Sequence, residues 1–78
     1  MAKLVFLGRL EDLAGAAERE VSDGPLTAVL AALEPELAEA LVADRIRLAL
    51  NGVLLVDRSG IVLAPSDELA FLPPVSGG

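Results

Sequence analysis

Ser22-Asp23-Gly24-Pro25-Leu26-Thr27-Ala28-Val29-Leu30-Ala31-Ala32-Leu33 is the stretch whose reading decides the fold. Proline suits the first position of a helix, and Asp23 just ahead of it offers a side-chain cap. Leu26, Val29, Leu30 and Leu33 then recur at i, i+3, i+4 and i+7. That spacing predicts an amphipathic helix with one apolar stripe. Pro35 ends or restarts it. Residues 36–43 read as a second short helix with Leu37, Ala40 and Leu41 inward.

Upstream of this helix, Lys3-Leu4-Val5-Phe6-Leu7 is an apolar run of strand length. Leu4 and Phe6 share one face, Val5 and Leu7 the other. Residues 10–15 read as one helical turn ended by Gly15. Residues 17–21 read as a second strand, with Glu18 and Glu20 on a solvated edge. Downstream, Arg45-Ile46-Arg47-Leu48-Ala49-Leu50 alternates, with Ile46, Leu48 and Leu50 inward and Arg47 outward. Asn51-Gly52 is a strong hairpin signal, and residues 53–56 return as a strand. Residues 61–63 read as a strand fragment or a tucked loop. Residues 68–72 form the last strand, with Leu69 and Phe71 inward, and Pro73-Pro74 stops the pairing.

The helix therefore lies between two groups of strands. It can bury its stripe only across one face of a sheet, which makes the class α+β. The first and last strands are the most hydrophobic and are expected centrally, side by side. A β-grasp (ubiquitin-like) arrangement with about five strands in a mixed sheet and one main helix satisfies this pattern. A generic small α+β domain satisfies it equally.

Composition narrows the function. The chain has 78 residues and is 54% hydrophobic, with Phe6 and Phe71 its only aromatics and neither cysteine nor histidine. A single core must hold it without disulfide or metal staples. Six Lys+Arg against twelve Asp+Glu give a net charge of −6. The scattered cations form no basic face for nucleic acid. No charge-free stretch approaches the roughly 20 apolar residues of a membrane span. Met1-Ala2-Lys3 runs straight into a strand rather than a signal peptide, so a cytoplasmic location is expected. No catalytic base, nucleophile or metal cluster stands out.

The ending draws attention instead. Residues 1–74 are expected to form the domain, and 75–78 a flexible tail. Gly77 and Gly78 leave an α-carboxylate on an unbranched stalk thin enough to enter a channel. Its ordinary pKa near 3.5 keeps it ionised at neutral pH, so as a carboxylate it is a poor electrophile and must be activated before a nucleophile can attack it. The four residues beyond Pro74 span roughly 13–14 Å when extended.

Asp67-Glu68-Leu69-Ala70-Phe71-Leu72-Pro73-Pro74-Val75-Ser76-Gly77-Gly78 resembles the C-terminus of the MoaD family, the small sulfur-carrying subunit of molybdopterin synthase. Residues 3–15 resemble that family's first strand and helical turn, and Leu50-Asn51-Gly52 its hairpin. Ser66 stands where the family usually has glycine. The resemblance implies a β-grasp fold and a carrier without a directly bound cofactor. It implies that an ATP-using, MoeB-like partner, related to ubiquitin-activating enzymes, adenylates Gly78. A sulfurtransferase then converts Gly78 to a thiocarboxylate. Val75, Ser76 and Gly77 would enter a larger, MoaE-like subunit of a hetero-oligomer, where sulfur passes to the pterin precursor. Leu7, Leu54 and Leu72, with Pro73 and Pro74 at the tail root, are the expected partner interface, and Arg9 and Arg47 are candidates to meet acidic partner groups. Three other functions remain open: a ThiS-like carrier for thiamine thiazole synthesis, a ubiquitin-like protein modifier, and an interaction domain whose glycines are incidental.

Overall fold

The computed structural model describes residues 1–74. The elements run β1 (Ala2–Phe6), α1 (Arg9–Ala14), β2 (Glu18–Val21), β3 (Gly24–Pro25), α2 (Leu26–Ala31), α3 (Pro35–Leu41), β4 (Arg47–Leu50), β5 (Val53–Leu54), β6 (Val62–Leu63) and β7 (Glu68–Leu72). Five strands form one sheet in the order β2-β1-β7-β4-β5, and β3 and β6 pair separately. β1 and β7 are parallel neighbours; every other pairing is antiparallel. A mixed sheet with the first and last long strands side by side, and helices across one face, is the ubiquitin-like β-grasp.

The sheet register sets the core. Leu4 pairs with Leu69 and Phe6 with Phe71 across β1 and β7. All four are 0–1% exposed. The two phenyl rings lie nearly parallel with centroids 6.0 Å apart, a geometry that adds about 0.5–1.5 kcal/mol to their burial. The helical layer is shared by α2 and α3. Pro35 restarts the chain at the first turn of α3 and divides the layer in two. Leu26, Val29 and Leu33 from the first segment, and Leu37 and Leu41 from the second, close the core. Ala40 packs against it half-buried.

The entry to α2 departs from expectation. Pro25, not Asp23, holds the cap position, in an extended conformation with ψ 137°, and makes no side-chain cap bond. Gly24-Pro25 is drawn out as a strand against Val62 and Leu63. The Leu26 N–H donates to the Ile61 carbonyl at 2.9 Å. A backbone acceptor thus fills the role expected of a side chain, and the fragment at 61–63 is fixed by the same contact. Asp23 instead lies 3.6 Å from the N-terminal amine.

The turns into β5 and β7 are joined. Asn51 and Gly52 both have positive φ, 50° and 85°, the requirement of a two-residue hairpin with right-handed twist. The Asn51 side chain donates to Asp67 Oδ1 and accepts from the Glu68 N–H, both at 2.9 Å. Asp67 Oδ2 also accepts from the Ala64 N–H at 2.9 Å. The Asn51 amide foremost, then the Ala64 N–H, holds the Asp67 carboxyl below its ordinary value. Ser66, at φ 74°, sits in the left-handed region where the resembled family carries glycine.

Three outcomes follow from this framework. Phe71→Ala is expected to lose about 3–5 kcal/mol, a large share of the roughly 4–12 kcal/mol available to a domain of this size, measurable by urea unfolding. Ser66→Gly relieves left-handed strain of about 1 kcal/mol against the extra chain entropy of glycine. Calorimetry should show a net rise in Tm of roughly 2–4 °C. Asp67 is depressed in the folded state, so its contribution is complete above the ordinary carboxylate pKa and disappears as pH falls through the folded value. Asn51→Gly keeps the left-handed turn and removes the amide. The loss of stability between neutral pH and about pH 3 should be smaller in that variant than in the parent chain.

Candidate functional site

β7 is the middle strand of the sheet. Its inward residues Leu69 and Phe71 anchor it in the core, and its outward residues Ala70 and Leu72 face the side free of helices. Pro73 and Pro74 follow directly, half-buried and outside the strand. Proline lacks a donor, so the ladder ends there. The interior thus grips the chain up to the residue before the tail. The expected tail residues Val75, Ser76, Gly77 and Gly78 lie outside the described residues.

A glycine marks the tail root from the other side. Gly8, at φ 56°, follows β1, and a Cβ placed on it would stand 2.9 Å from Pro73 Cγ. Backbone and proline ring meet there at the closest approach a bare Cα allows. Nothing in the spacing of the sequence signals this contact, because it depends on β1 and β7 being parallel neighbours.

The open face of the sheet carries the expected interface leucines. Leu7 lies just past β1, and its N–H donates to the Phe71 carbonyl at 3.2 Å, which continues the β1–β7 ladder beside Leu72. Leu54 pairs with Ala49 on the other side of β4. Leu7 is 41% exposed and Leu54 58%; Leu72 is half-buried. Leu7 and Leu72 are therefore neighbours. Leu54 shares their face but is separated from them by the outward residues of β4, Arg47 and Ala49. Val5 and Ala70, paired across β1 and β7, fill the surface between. None of the three leucines belongs to the buried core.

Charge is distributed unevenly around this root. Lys3 pairs with Glu18, Arg19 makes two bonds to Glu34, and Arg58 lies 3.7 Å from Asp44. The Arg19 bonds pull the Glu34 carboxyl below its ordinary value. Arg9, Arg45 and Arg47 have no ion-pair partner among the described residues. Arg47 stands opposite Leu72 in the sheet register. Arg9 and Arg45 line a groove of about 530 Å³ between α1, α3 and the approach to β4, with Pro74 at its lip. The cations without an ion-pair partner among the described residues thus collect at the end of the sheet where β7 runs into Pro73 and Pro74. Arg9 and Arg47 were legible as exposed cations; Arg45 joins them only through the fold.

The opposite face has a second, apolar groove of about 470 Å³ among α2, α3 and the segment before β6, floored by Leu41, Leu48 and Phe71. Arg58 is its one ionisable residue, and its guanidinium already donates to the Ala43 and Ile46 carbonyls at 2.9 and 3.2 Å. Among the described residues no buried side chain is polar or charged, and no cluster of His, Cys, Asp or Glu could hold a metal ion. No helix among them is long and apolar enough to cross a membrane. What this geometry offers chemically is a rigid platform with a cationic, partly apolar collar around the start of a tail.

Known structures share the platform. The solution structure of small archaeal modifier protein 1 (SAMP1) from Methanosarcina acetivorans matches with TM-score 0.80 and 28% identity, covering 99% of this chain and 95% of the other. The crystal structure of SAMP1 from Haloferax volcanii matches with TM-score 0.78 and 27% identity, covering 99% and 98%. No curated protein sequence matches the chain significantly. The sequence profile of the ThiS family matches residues 4–78, both ends of the sheet and the Gly-Gly ending included, and the chain belongs to the ThiS family.

Proposed function

We propose that this protein is the sulfur carrier of molybdenum cofactor biosynthesis, the small subunit of a molybdopterin synthase. One observation carries the reading: Pro73-Pro74-Val75-Ser76-Gly77-Gly78 continues directly from the middle strand of a ubiquitin-like sheet. In this reading an ATP-dependent, MoeB-like partner adenylates the Gly78 carboxylate, with pyrophosphate leaving. The terminal sulfur of a sulfurtransferase persulfide displaces AMP to give an acyl disulfide, and a second thiol then cleaves that S–S bond, releasing the thiocarboxylate and leaving a disulfide behind. The loaded tail then enters a MoaE-like subunit, which supplies the acid and base groups for the transfer. ATP is the partner's substrate.

The collar around the tail root supports the docking half of the reading. Leu7 and Leu72 offer an apolar contact, and apolar patches on small proteins commonly mark interfaces. Arg9, Arg45 and Arg47 surround it and match a partner with acidic groups at the channel mouth. Pro73 and Pro74 limit the conformations of the tail root, which lowers the ordering penalty on insertion.

Two other carrier functions have specific support. The family profile favours a ThiS-like role in thiamine thiazole synthesis. The likeness to SAMP1, a small archaeal modifier protein, favours attachment of Gly78 to target proteins. All three share the adenylation step and differ in the acceptor. The Pro-Pro-Val-x-Gly-Gly ending places the molybdopterin role first.

Deleting Gly78 shortens the tail by about 3.5 Å and should reduce sulfur transfer in a reconstituted synthase at least about 100-fold. Circular dichroism and Tm should stay at the parent values, since residues 1–74 contain the core. Activity that survives the deletion contradicts the proposal. Transfer to a thiazole precursor or to protein lysines, with none to the pterin, selects the corresponding alternative.

A further inference from the structure

The chain has a single lysine. Lys3 stands alone among the six basic side chains; the others are Arg9, Arg19, Arg45, Arg47 and Arg58. The two residue types differ chemically. A lysine ε-amine loses its proton with an ordinary pKa near 10.4 and is then a nucleophile. An arginine guanidinium stays protonated and has no lone pair to offer. In a chain whose own terminus becomes an acylating group, that difference decides which cations are safe beside it.

The fold keeps the two kinds of nitrogen apart. Arg9 and Arg45 line the groove that has Pro74 at its lip, and Arg47 is opposite Leu72 in the sheet register. Lys3 lies at the other end of β7. It pairs with Glu68, the first residue of that strand, and its ammonium group is 3.3 Å from the Glu18 carboxylate. From Glu68 to Pro74 the chain advances six residues, roughly 20 Å when extended. The four residues beyond Pro74 span only roughly 13–14 Å. The Met1 amine is at the Lys3 end too, 3.6 Å from Asp23, and the Met1 carbonyl accepts from the Ser66 N–H. Both amines are thus remote from the tail root, while the cations that surround the root are arginines.

We propose that Arg9 and Arg45 are specificity-determining residues: they supply positive charge without a nucleophile, so the activated Gly78 acyl group cannot acylate its own chain and is kept for an external acceptor. The inference rests on the carrier reading in taking Gly78 as the adenylated group, and it holds for all three carrier functions because they share that step. The reaction avoided is an aminolysis. A neutral lysine amine at either position would attack the Gly78 carbonyl carbon. A C–N bond forms, the C–O bond to AMP breaks, and the amine proton passes to solvent. The product is a closed loop with an amide where the carboxylate was, and it can no longer take sulfur. Tethering favours that step, since a group joined to its target through a short segment acts at an effective concentration of about millimolar or more. Acidic groups of a partner call for cations around the root, and an acyl terminus within reach excludes amines. Arginine meets both demands.

The test uses the full chain at high dilution, the purified adenylating enzyme of the same organism and ATP, with no sulfur donor. Arg9→Lys and Arg45→Lys keep the charge and introduce an amine; Arg45→Gln introduces none. Hydroxylamine added to one portion traps the adenylate as a hydroxamate, heavier by one NH, and so reports adenylation of each variant. In the other portion a cyclised chain is lighter by one water, and fragmentation locates its link between Gly78 and residue 9 or 45. Per chain adenylated, both lysine variants should cyclise at least about tenfold more than the parent. The yield should rise from about pH 7 to about pH 9 as more of the amine becomes neutral. The parent and Arg45→Gln should stay open. Lysine variants that form the hydroxamate yet cyclise no more than the parent overturn the inference. So does a Gly78–Lys3 link within the parent chain. A parent that yields no hydroxamate, with an enzyme active on another carrier, sinks the carrier reading instead, and the two failures are read in separate portions.

Discussion

The parallel pairing of β1 with β7 is the constraint on which the rest of the structure depends. It joins the two ends of the chain at the middle of the sheet and stacks Phe6 on Phe71, the only aromatics available. In a chain this short, with neither disulfide nor metal, a few fully buried side chains supply a large share of the stability. Leu4, Phe6, Leu69 and Phe71 are all placed by that one register. The helices depend on it too, since α2 and α3 have a core to cover only when these four residues face the same way.

The same pairing determines what the far end of the chain can do. A segment that leaves the middle strand of a sheet is anchored by both neighbours and aimed by the strand direction. Pro73 and Pro74 then end the ladder, and Gly8 brings β1 against the Pro73 ring. The core is built from residues 2–71, ahead of the tail root. A carrier needs that separation: a terminal group handed between partners must be changed chemically without disturbing the fold that presents it. The acidic surface elsewhere, and Arg9, Arg45 and Arg47 near the root, give the same end of the molecule a distinct charge.

Much of this was legible in the sequence because each signal was local. The alternation in residues 45–50, the Asn51-Gly52 turn and the i, i+3, i+4, i+7 leucines each name an element and its buried face. The Gly-Gly ending and the Pro-Pro before it were legible for the same reason. What was not legible depends on contacts between distant segments. Asp23 looks like a cap until β6 brings the Ile61 carbonyl to the Leu26 N–H. Leu54 is expected in one interface with Leu72, yet β4 lies between their strands. Arg45 acquires its place beside Arg9 only when α1 and the approach to β4 converge on Pro74. Ser66 departs from the expected glycine, yet the turn keeps its left-handed residue, held by the Asn51 and Asp67 bonds around it.

The most direct test of the account is the intact mass of the chain after incubation with ATP, the adenylating enzyme, a persulfide-loaded sulfurtransferase and a thiol reductant. The account predicts a species heavier by the difference between one sulfur and one oxygen, with the change located by fragmentation at Gly78. An unchanged mass, with the adenylating enzyme shown to be active on another carrier, would contradict it.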